Sequence, residues 1–405
     1  MSANGSAAPA MPRVLVLSRN YPSPAIELLG LWVRQIVQGS TAICEPLVVS
    51  PVPWSPPLPV LPEYYARFRR VPRRRMDDRV EILQPRFLVG PGASLSRFEP
   101  AAYHTAVRRP IARLRERFPF DIVHAHFTWP DGVVAARIAE RYGVPLVITE
   151  QAPWRPWLDT AERPRREAVQ AARRAAAHIA ISTSVRDTIN HFTGDAGNVH
   201  VIPDAVDGSA FVLPDNGTPR KDDALLFVGV IRHVKGVDVL LRALKLLHDR
   251  GRKASLSLIG EGHYKSYRRD QAALYDLVDE LSLGEHVHFL GKQPLGELVR
   301  AMQESTLLIL PSRAESLGMV LVESLACGTP VVATRCGGPE DIVTDAVGRL
   351  VDPDDPEALA DGIASVLERR ASFEPAALRE YALTRFGVDA VTSRLQDVYA
   401  QVLAG

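Results

Sequence analysis

The 405-residue sequence holds only three cysteines, Cys44, Cys327 and Cys336, and no CxxC pair. That excludes a disulfide framework and makes a reducing cytoplasm the expected setting. No apolar run reaches about 18 residues, so no transmembrane helix is expected. The opening "MSANGSAAPAMPR" lacks a basic start followed by an apolar stretch, so no signal peptide is expected and residues 1–12 read as a disordered tail. A net charge of +1 gives no global argument for nucleic acid. No G-x-G-x-x-G follows the first apolar run, which weighs against a dinucleotide oxidoreductase. No internal repeat with a period of 20–50 residues is present.

What is present is the composition of a soluble globular protein, 46% hydrophobic and 23% charged, in a chain long enough for two cores. Short apolar runs alternate with helix-like stretches. "VLVLS" (14–18), "PLVVSPV" (46–52), "VEILQPR" (80–86), "DIVHAHF" (121–127), "PLVITE" (145–150), "HIAIST" (178–183) and "VHVIPD" (199–204) read as strands. After a stretch rich in Asp, Gly and Pro (207–223), the alternation restarts with "ALLFVGV" (224–230), "SLSLIG" (255–260), "VHFLG" (287–291), "TLLILPS" (306–312) and "PVVATRC" (330–336). Strands without clean polar alternation are expected in parallel sheets covered on both faces. Ligands of such sheets bind beyond the carboxyl ends of the strands.

The stretch "RAESLGMVLVESLACGTP" (313–330) follows one such strand and carries Glu315 and Glu323. The spacing predicts a helix from about Leu317, with Ser316 as N-cap and Gly328 and Pro330 marking its end. Backbone N–H groups of Ser316, Leu317 and Gly318 would then attract an anion, at about 0.3–1 kcal/mol per charge from the dipole. Glu323, among apolar neighbours, would accept hydrogen bonds from paired hydroxyls or would close an internal salt bridge. Glu315 would do the former or stay a solvated loop charge. A second turn, in "LLFVGVIRHVKGVDVLLRAL" (225–244), carries Arg232, His233 and Lys235. Two cations at a strand end fit a diphosphate, at roughly 1.5–3 kcal/mol per charge-assisted bond; one such turn alone is also a common solvated feature.

Together these stretches resemble the retaining glycosyltransferases of family 4. Glu315 and Glu323 meet the family pattern E-x7-E. "SLACGTPVVATRCGGPEDIV" (324–343), "LIGEG" (258–262), "FLGK" (289–292) and "VIPDAVD" (201–207) are similar to family segments, as are "VLVLSRNYPSP", "GLWVRQ" and "DIVHAHFTWPDG" nearer the start. The resemblance implies an α/β GT-B fold: two Rossmann-like βαβ domains facing across a cleft. Residues 13–206 would bind the acceptor, 207–385 the nucleotide sugar, and 386–405 would be a helix crossing back to the first domain.

It also implies roles. Glu323 would hold the ribose, and Glu315 the transferred sugar. Lys235 and Arg232 would neutralise the diphosphate, with Ser316, Leu317 and Gly318 near its oxygens or the sugar. Gly291 and Lys292 would face the base, and Gly30 would lie close to the diphosphate. The donor would be a nucleoside diphosphate sugar of UDP- or GDP-hexose type. No cofactor and no metal are expected, because cations and the helix end take that electrostatic role. The acidic runs "MDDR" (76–79) and "DPDD" (352–355) read as surface turns.

Three positions depart from the family pattern. Val230 stands where an arginine is usual, leaving Arg232 two residues later. Gln151 stands where a histidine usually faces the sugar; His126 is the alternative, while His124 reads as structural. Asp204–Ala205 replaces the usual Asn-Gly and implies a changed turn. Trp154 and Trp157 would stack on an acceptor or fill a core. Residues 53–75, with six arginines from Arg67 to Arg75, would meet anionic lipid at about 1 kcal/mol per basic residue, bind an anionic acceptor, or form a bare basic loop. The rival readings are a nucleotide-sugar 2-epimerase of the same fold and a non-catalytic nucleotide-sugar sensor.

Overall fold

The computed structural model describes residues 11–27, 29–54, 63–89, 98–153, 161–194, 198–215, 222–261 and 265–405. Most of the expected N-terminal tail, and Trp154 and Trp157, lie outside the described residues. The chain divides into two compact units. The described residues up to Ile181, with Val185–Ile202 and Val391–Gly405, form the first; Ser182–Ser184 and Pro203–Ala390 form the second.

The first unit contains β1 (Arg13–Leu17), β2 (Glu45–Val49), β3 (Val52–Trp54), β4 (Arg74–Asp77), β5 (Val80–Leu83), β6 (Arg86–Leu88), β7 (Ile122–His126), β8 (Leu146–Glu150), β9 (Ala177–Ala180) and β10 (Val199–Val201). Eight of them form one sheet in the order β10-β9-β8-β7-β1-β2-β5-β4, parallel except for the β4–β5 hairpin. Its helices are α1 (Leu31–Gly39), α2 (Glu99–Arg117), α3 (Val133–Tyr142), α4 (Glu162–Arg174) and α5 (Thr183–Thr193). Leu15, Leu17, Val123, Ala125, Ile148 and the helix residues Val107, Ile111 and Val134 close one core between sheet and helices.

Two expected strands are each broken in two. "PLVVSPV" divides at Pro51 and "VEILQPR" at Pro85, because proline has no N–H to give the ladder. The pieces beyond the breaks, β3 and β6, leave the main sheet and pair with each other, Val52 opposite Arg86 and Trp54 opposite Leu88. The expected basic loop is also more ordered than a loop. Residues Glu63–Arg70 form a 3-10 segment, and Arg74 and Arg75 lie in β4, the edge strand of the sheet. A charged edge strand of this kind resists pairing with other chains. "MDDR" forms the tight end of the hairpin, with Asp78 at a φ of 51°.

The second unit holds β11 (Ala224–Val228), β12 (Ser255–Ile259), β13 (Val287–Gly291), β14 (Leu307–Leu310), β15 (Val331–Thr334) and β16 (Gly348–Val351). They form an all-parallel sheet in the order β13-β12-β11-β14-β15-β16. Its helices are α6 (Val237–Asp249), α7 (Lys265–Glu280), α8 (Leu295–Glu304), α9 (Met319–Ala326), α10 (Pro356–Glu368) and α11 (Pro375–Phe386), and α12 (Val388–Ala404) begins in it. Leu225, Leu226, Phe227, Leu307, Leu308, Ile309, Val331 and Val332 are all fully buried, which is why these strands read as unbroken apolar runs. The chain fills β11, β12 and β13 outward in one direction, then returns to start β14 on the other side of β11. That reversal leaves a crevice beyond the carboxyl ends of β11 and β14, the place where such sheets take ligands. From Val391 onward α12 belongs to the first unit, where the Tyr399 hydroxyl lies 2.7 Å from His124 Nδ1.

Candidate functional site

The turn after β11 and the loop after β14 meet at this reversal. A short 3-10 turn, His233–Lys235, ends at Gly236, which opens α6 with a φ of 65°. A Cβ on Gly236 would stand 1.9 Å from the Pro311 carbonyl oxygen, so the two chain segments touch backbone to backbone. Across this contact the Lys235 ammonium forms an ion pair with the Glu315 carboxylate, and Ser312 Oγ donates to Glu315 Oε2 at 3.2 Å. Both side chains are mostly covered, with 22% and 15% exposure. Glu315 is also pinned through its backbone: its N–H donates to Cys336 O at 3.2 Å and its carbonyl accepts from Gly338 N at 2.9 Å. It is therefore not a solvated loop charge.

The helix carrying Glu323 starts later than the sequence spacing suggests. α9 begins at Met319, and its N-cap is Gly318, at a φ of 92° and with no capping side chain. Ser316 is therefore not the N-cap. A left-handed residue before the first helical turn is reached at low cost only by glycine, and that geometry outweighed the capping preference of serine. The N–H groups of Ser316, Leu317 and Gly318 make no hydrogen bond to the described residues. Leu317 is buried, at 2% exposure, and its backbone lies against Gly338, where an added Cβ would come within 2.2 Å of the Leu317 Cα. Glu323 stands in the second turn. Its carboxylate makes no ion pair or hydrogen bond with the described residues, so the internal salt bridge is not formed. Burial pushes its pKa up to about 7.

The other residues expected to meet a donor line the same end of the sheet. Arg232 is exposed on the turn, and its carbonyl accepts from Lys235 N at 2.8 Å. Gly291 closes β13, and its carbonyl accepts from Gly260 N at 2.9 Å. The Lys292 N–H reaches Glu261 Oε1 at 3.3 Å. Sequence reasoning missed the residues that bind the two loops together. Arg313 donates to both oxygens of Asp238 at 2.9 Å and to Asp354 Oδ1 at 2.5 Å, and it also reaches the His233 carbonyl. Burial raises the Asp238 pKa, but the Arg313 hydrogen bonds outweigh it and hold the carboxyl below its ordinary value. Part of the signal was available: an acid in the first turn of α6 is favoured by the helix end, but the sequence does not say that Arg313 is its partner.

In the first unit His126 ends β7 and is buried, and neither ring nitrogen meets a hydrogen bond of ordinary geometry among the described residues. Burial drives its pKa down to about 4, opposed by the adjacent Gln151. Its ring stacks on His124 at 4.8 Å between centroids. His124 is held from both sides, by Tyr399 and by Thr149 Oγ1, each at 2.7 Å, which agrees with a structural role. Gln151 is buried just beyond β8. Gly30 opens α1 with a φ of 77°. Asp131, which the sequence did not single out, is buried beneath the same strand ends. It accepts from Arg19 N at 2.8 Å and from the Tyr103 hydroxyl at 3.1 Å, while Arg19 also pairs with Glu99. Burial lifts the Asp131 pKa to about 6 against the pull of Arg19. Among the described residues no three His, Cys, Asp or Glu side chains converge as metal ligands, and no helix is long and apolar enough to cross a membrane.

Two family profiles match the chain: Glycosyltransferase Family 4 over residues 64–209 and Glycosyl transferases group 1 over residues 211–385. The chain is 33% identical over 317 residues to D-inositol 3-phosphate glycosyltransferase 1 of Catenulispora acidiphila, covering 72% of this chain and 75% of the relative. It is 33% identical over 303 residues to the D-inositol 3-phosphate glycosyltransferase of Mycolicibacterium smegmatis, covering 69% and 68%. Among solved structures, the sucrose-phosphate synthase of Thermosynechococcus elongatus superposes with a TM-score of 0.76 at 18% identity, over 97% of this chain and 99% of that one. HepE of Anabaena in complex with UDP superposes at 0.72 and 20% identity, over 96% and 100%. These likenesses fix the fold as GT-B, with two Rossmann-like domains. With both profiles matching in chain order and relatives this similar over most of their length, the chain belongs to glycosyltransferase family 4.

Proposed function

We propose that the protein transfers a hexose from a nucleoside diphosphate sugar to an acceptor hydroxyl with retention of configuration and without a metal. The observation that carries this reading is the meeting of Lys235, Glu315 and the open N–H groups of residues 316–318 at the β11/β14 reversal, with the unpaired Glu323 behind them. Lys235 and the helix end face the diphosphate, supplying the positive field that a metal supplies elsewhere. Glu323 accepts from the ribose hydroxyls and Glu315 from the sugar. The acceptor oxygen bonds to the anomeric carbon on the face the leaving group departs, the bond to the phosphate oxygen breaks, and that oxygen takes the acceptor proton. No protein nucleophile is needed. His126, neutral near pH 7, and Gln151 are assigned to hydroxyls of the acceptor.

HepE structures that hold UDP and UDP-glucose make UDP-hexoses the first donors to try, with GDP-hexoses next. The relatives named for D-inositol 3-phosphate make a cyclic polyol phosphate the first acceptor. The arginines from Arg67 to Arg75 would hold an acidic surface or acceptor. The test is a thermal-shift screen of UDP, GDP, ADP and their hexoses, followed by NMR of the product formed with inositol phosphates. A melting temperature that rises with a nucleoside diphosphate, and a product keeping the donor's anomeric configuration at full rate in EDTA, are the expected results. Inverted product, or a rate abolished by EDTA and restored by a divalent ion, would refute the reading. Donor incubated alone separates the epimerase: a changed sugar still attached to nucleotide would point there.

A further inference from the structure

Lys235 lies on a turn of only three residues, and a lysine on such a turn needs its backbone held if its ammonium is to meet a ligand in one place. The holding group is Arg313. Its guanidinium makes two parallel hydrogen bonds to Asp238, three residues after Lys235, at 2.9 Å each. The same guanidinium reaches the carbonyl of His233, two residues before Lys235, and the Arg313 backbone N–H donates to Val234 O at 2.8 Å. Nε is taken by Asp354 at 2.5 Å. Arg313 therefore grips the turn on both sides of Lys235 while sitting two residues before Glu315, the partner of Lys235. Its side chain is 17% exposed, and all three of its guanidinium nitrogens are engaged by these partners.

We propose that Arg313, through Asp238, is a positioning residue that sets Lys235 for the donor diphosphate. The inference rests on the donor role given to Lys235 above. A planar fork is required: two parallel bonds to one carboxylate and a third to a carbonyl are within reach of a guanidinium and not of an ammonium. Lysine at position 313 would keep the charge and lose the grip.

The test is calorimetric titration with whichever of UDP or GDP binds the wild-type protein, using Arg313→Lys and Asp238→Asn, each alone and combined with Lys235→Ala. Melting temperatures are measured alongside. Each single variant should weaken nucleotide binding about tenfold, roughly 1.4 kcal/mol. In the Lys235→Ala background the same substitutions should add less than twofold, because the residue they position is gone. A merely structural role would lower the melting temperature and weaken binding equally in both backgrounds, and that result overturns the proposal. Wild-type affinity in Arg313→Lys overturns it too. If Lys235→Ala itself binds like wild type, the donor reading and the proposal fall together; a loss in Lys235→Ala alone removes only the proposal. Should Arg313→Lys not fold, Asp238→Asn carries the same expectation.

Discussion

The carboxyl ends of the strands are polar in both units, but the two ends manage charge in opposite ways. In the second unit, charge is kept by pairing: Lys235 with Glu315, Arg313 with Asp238 and Asp354. In the first, burial suppresses charge: His124 and His126 are pushed well into the neutral form, and Asp131 is raised toward its acid form despite Arg19. A paired ammonium can exchange its carboxylate for a phosphate with little new desolvation. A desolvated imidazole cannot acquire charge cheaply but can exchange hydrogen bonds with a hydroxyl. The comparison suits a donor that is a dianion and an acceptor contacted through hydroxyls. Glu323 departs from the pattern of its own unit, being the acid that pairing leaves alone.

The most direct way to break this comparison is to remove Lys235. Lys235→Ala should lower turnover about a hundredfold, the usual scale for one electrostatic donor to a developing charge, and weaken nucleotide binding at least tenfold. Glu315→Ala should damage turnover more than nucleotide affinity. Steady-state rates and calorimetry on the two variants decide it. Equal losses of affinity in both would mean that the pair acts only as a structural tie.

The opposite charge logic also predicts opposite pH slopes. Glu323 titrates near 7 in the folded protein against 4.5 in the unfolded chain. Between those values the folded state holds a proton that the unfolded state has lost, so this group makes stability fall as pH rises. His126 titrates near 4 folded and 6.5 unfolded. There the unfolded state holds the extra proton, so stability rises with pH over nearly the same window. Each effect is on the order of 3 kcal/mol, and in the wild type they largely cancel. Melting curves from pH 4.5 to 7.5 should therefore separate the variants. Relative to wild type, Glu323→Gln gains stability as pH rises and His126→Asn loses it. Parallel curves for both variants would remove the contrast between the two strand ends.

Glu323 also sharpens the proposed donor site. Glu323→Ala should weaken binding of a nucleoside diphosphate about tenfold while leaving inorganic pyrophosphate unaffected, since only the former carries a ribose. Competition titrations with both ligands test this; equal weakening would place the carboxylate near the phosphates instead.

Much of this region was legible in the sequence because its determinants are local. Glu315 and Glu323 share one loop and helix, and the run from Phe227 to Leu241 spells strand, turn and helix without outside help. What escaped depends on residues far apart in the chain. Arg313 and Asp238 are opposite charges on separate elements, and nothing local says which cation meets which anion. Pro51 and Pro85 each mark a break, but that the pieces beyond them pair as β3 and β6 is a tertiary fact. Ser316 misled because its capping propensity is real, whereas the left-handed backbone at Gly318, where a Cβ would press on Leu310 and Leu321, is not written in that propensity.

The smallest effect is expected at the outer arm of the clamp. Asp354 meets Arg313 Nε at 2.5 Å, yet its side chain is 57% exposed, against 27% for Asp238. An exposed pair is screened by water and salt and contributes about 0–1 kcal/mol. Asp354→Asn should therefore shift stability by no more than about 0.5 kcal/mol and nucleotide affinity by less than twofold. The Arg313 fork remains closed on Asp238 in that variant, and the turn bearing Lys235 keeps its place. If Asp354→Asn matched Asp238→Asn in lost affinity, the clamp would act as one three-membered network, and the division between a covered working pair and an exposed bystander would have to be abandoned.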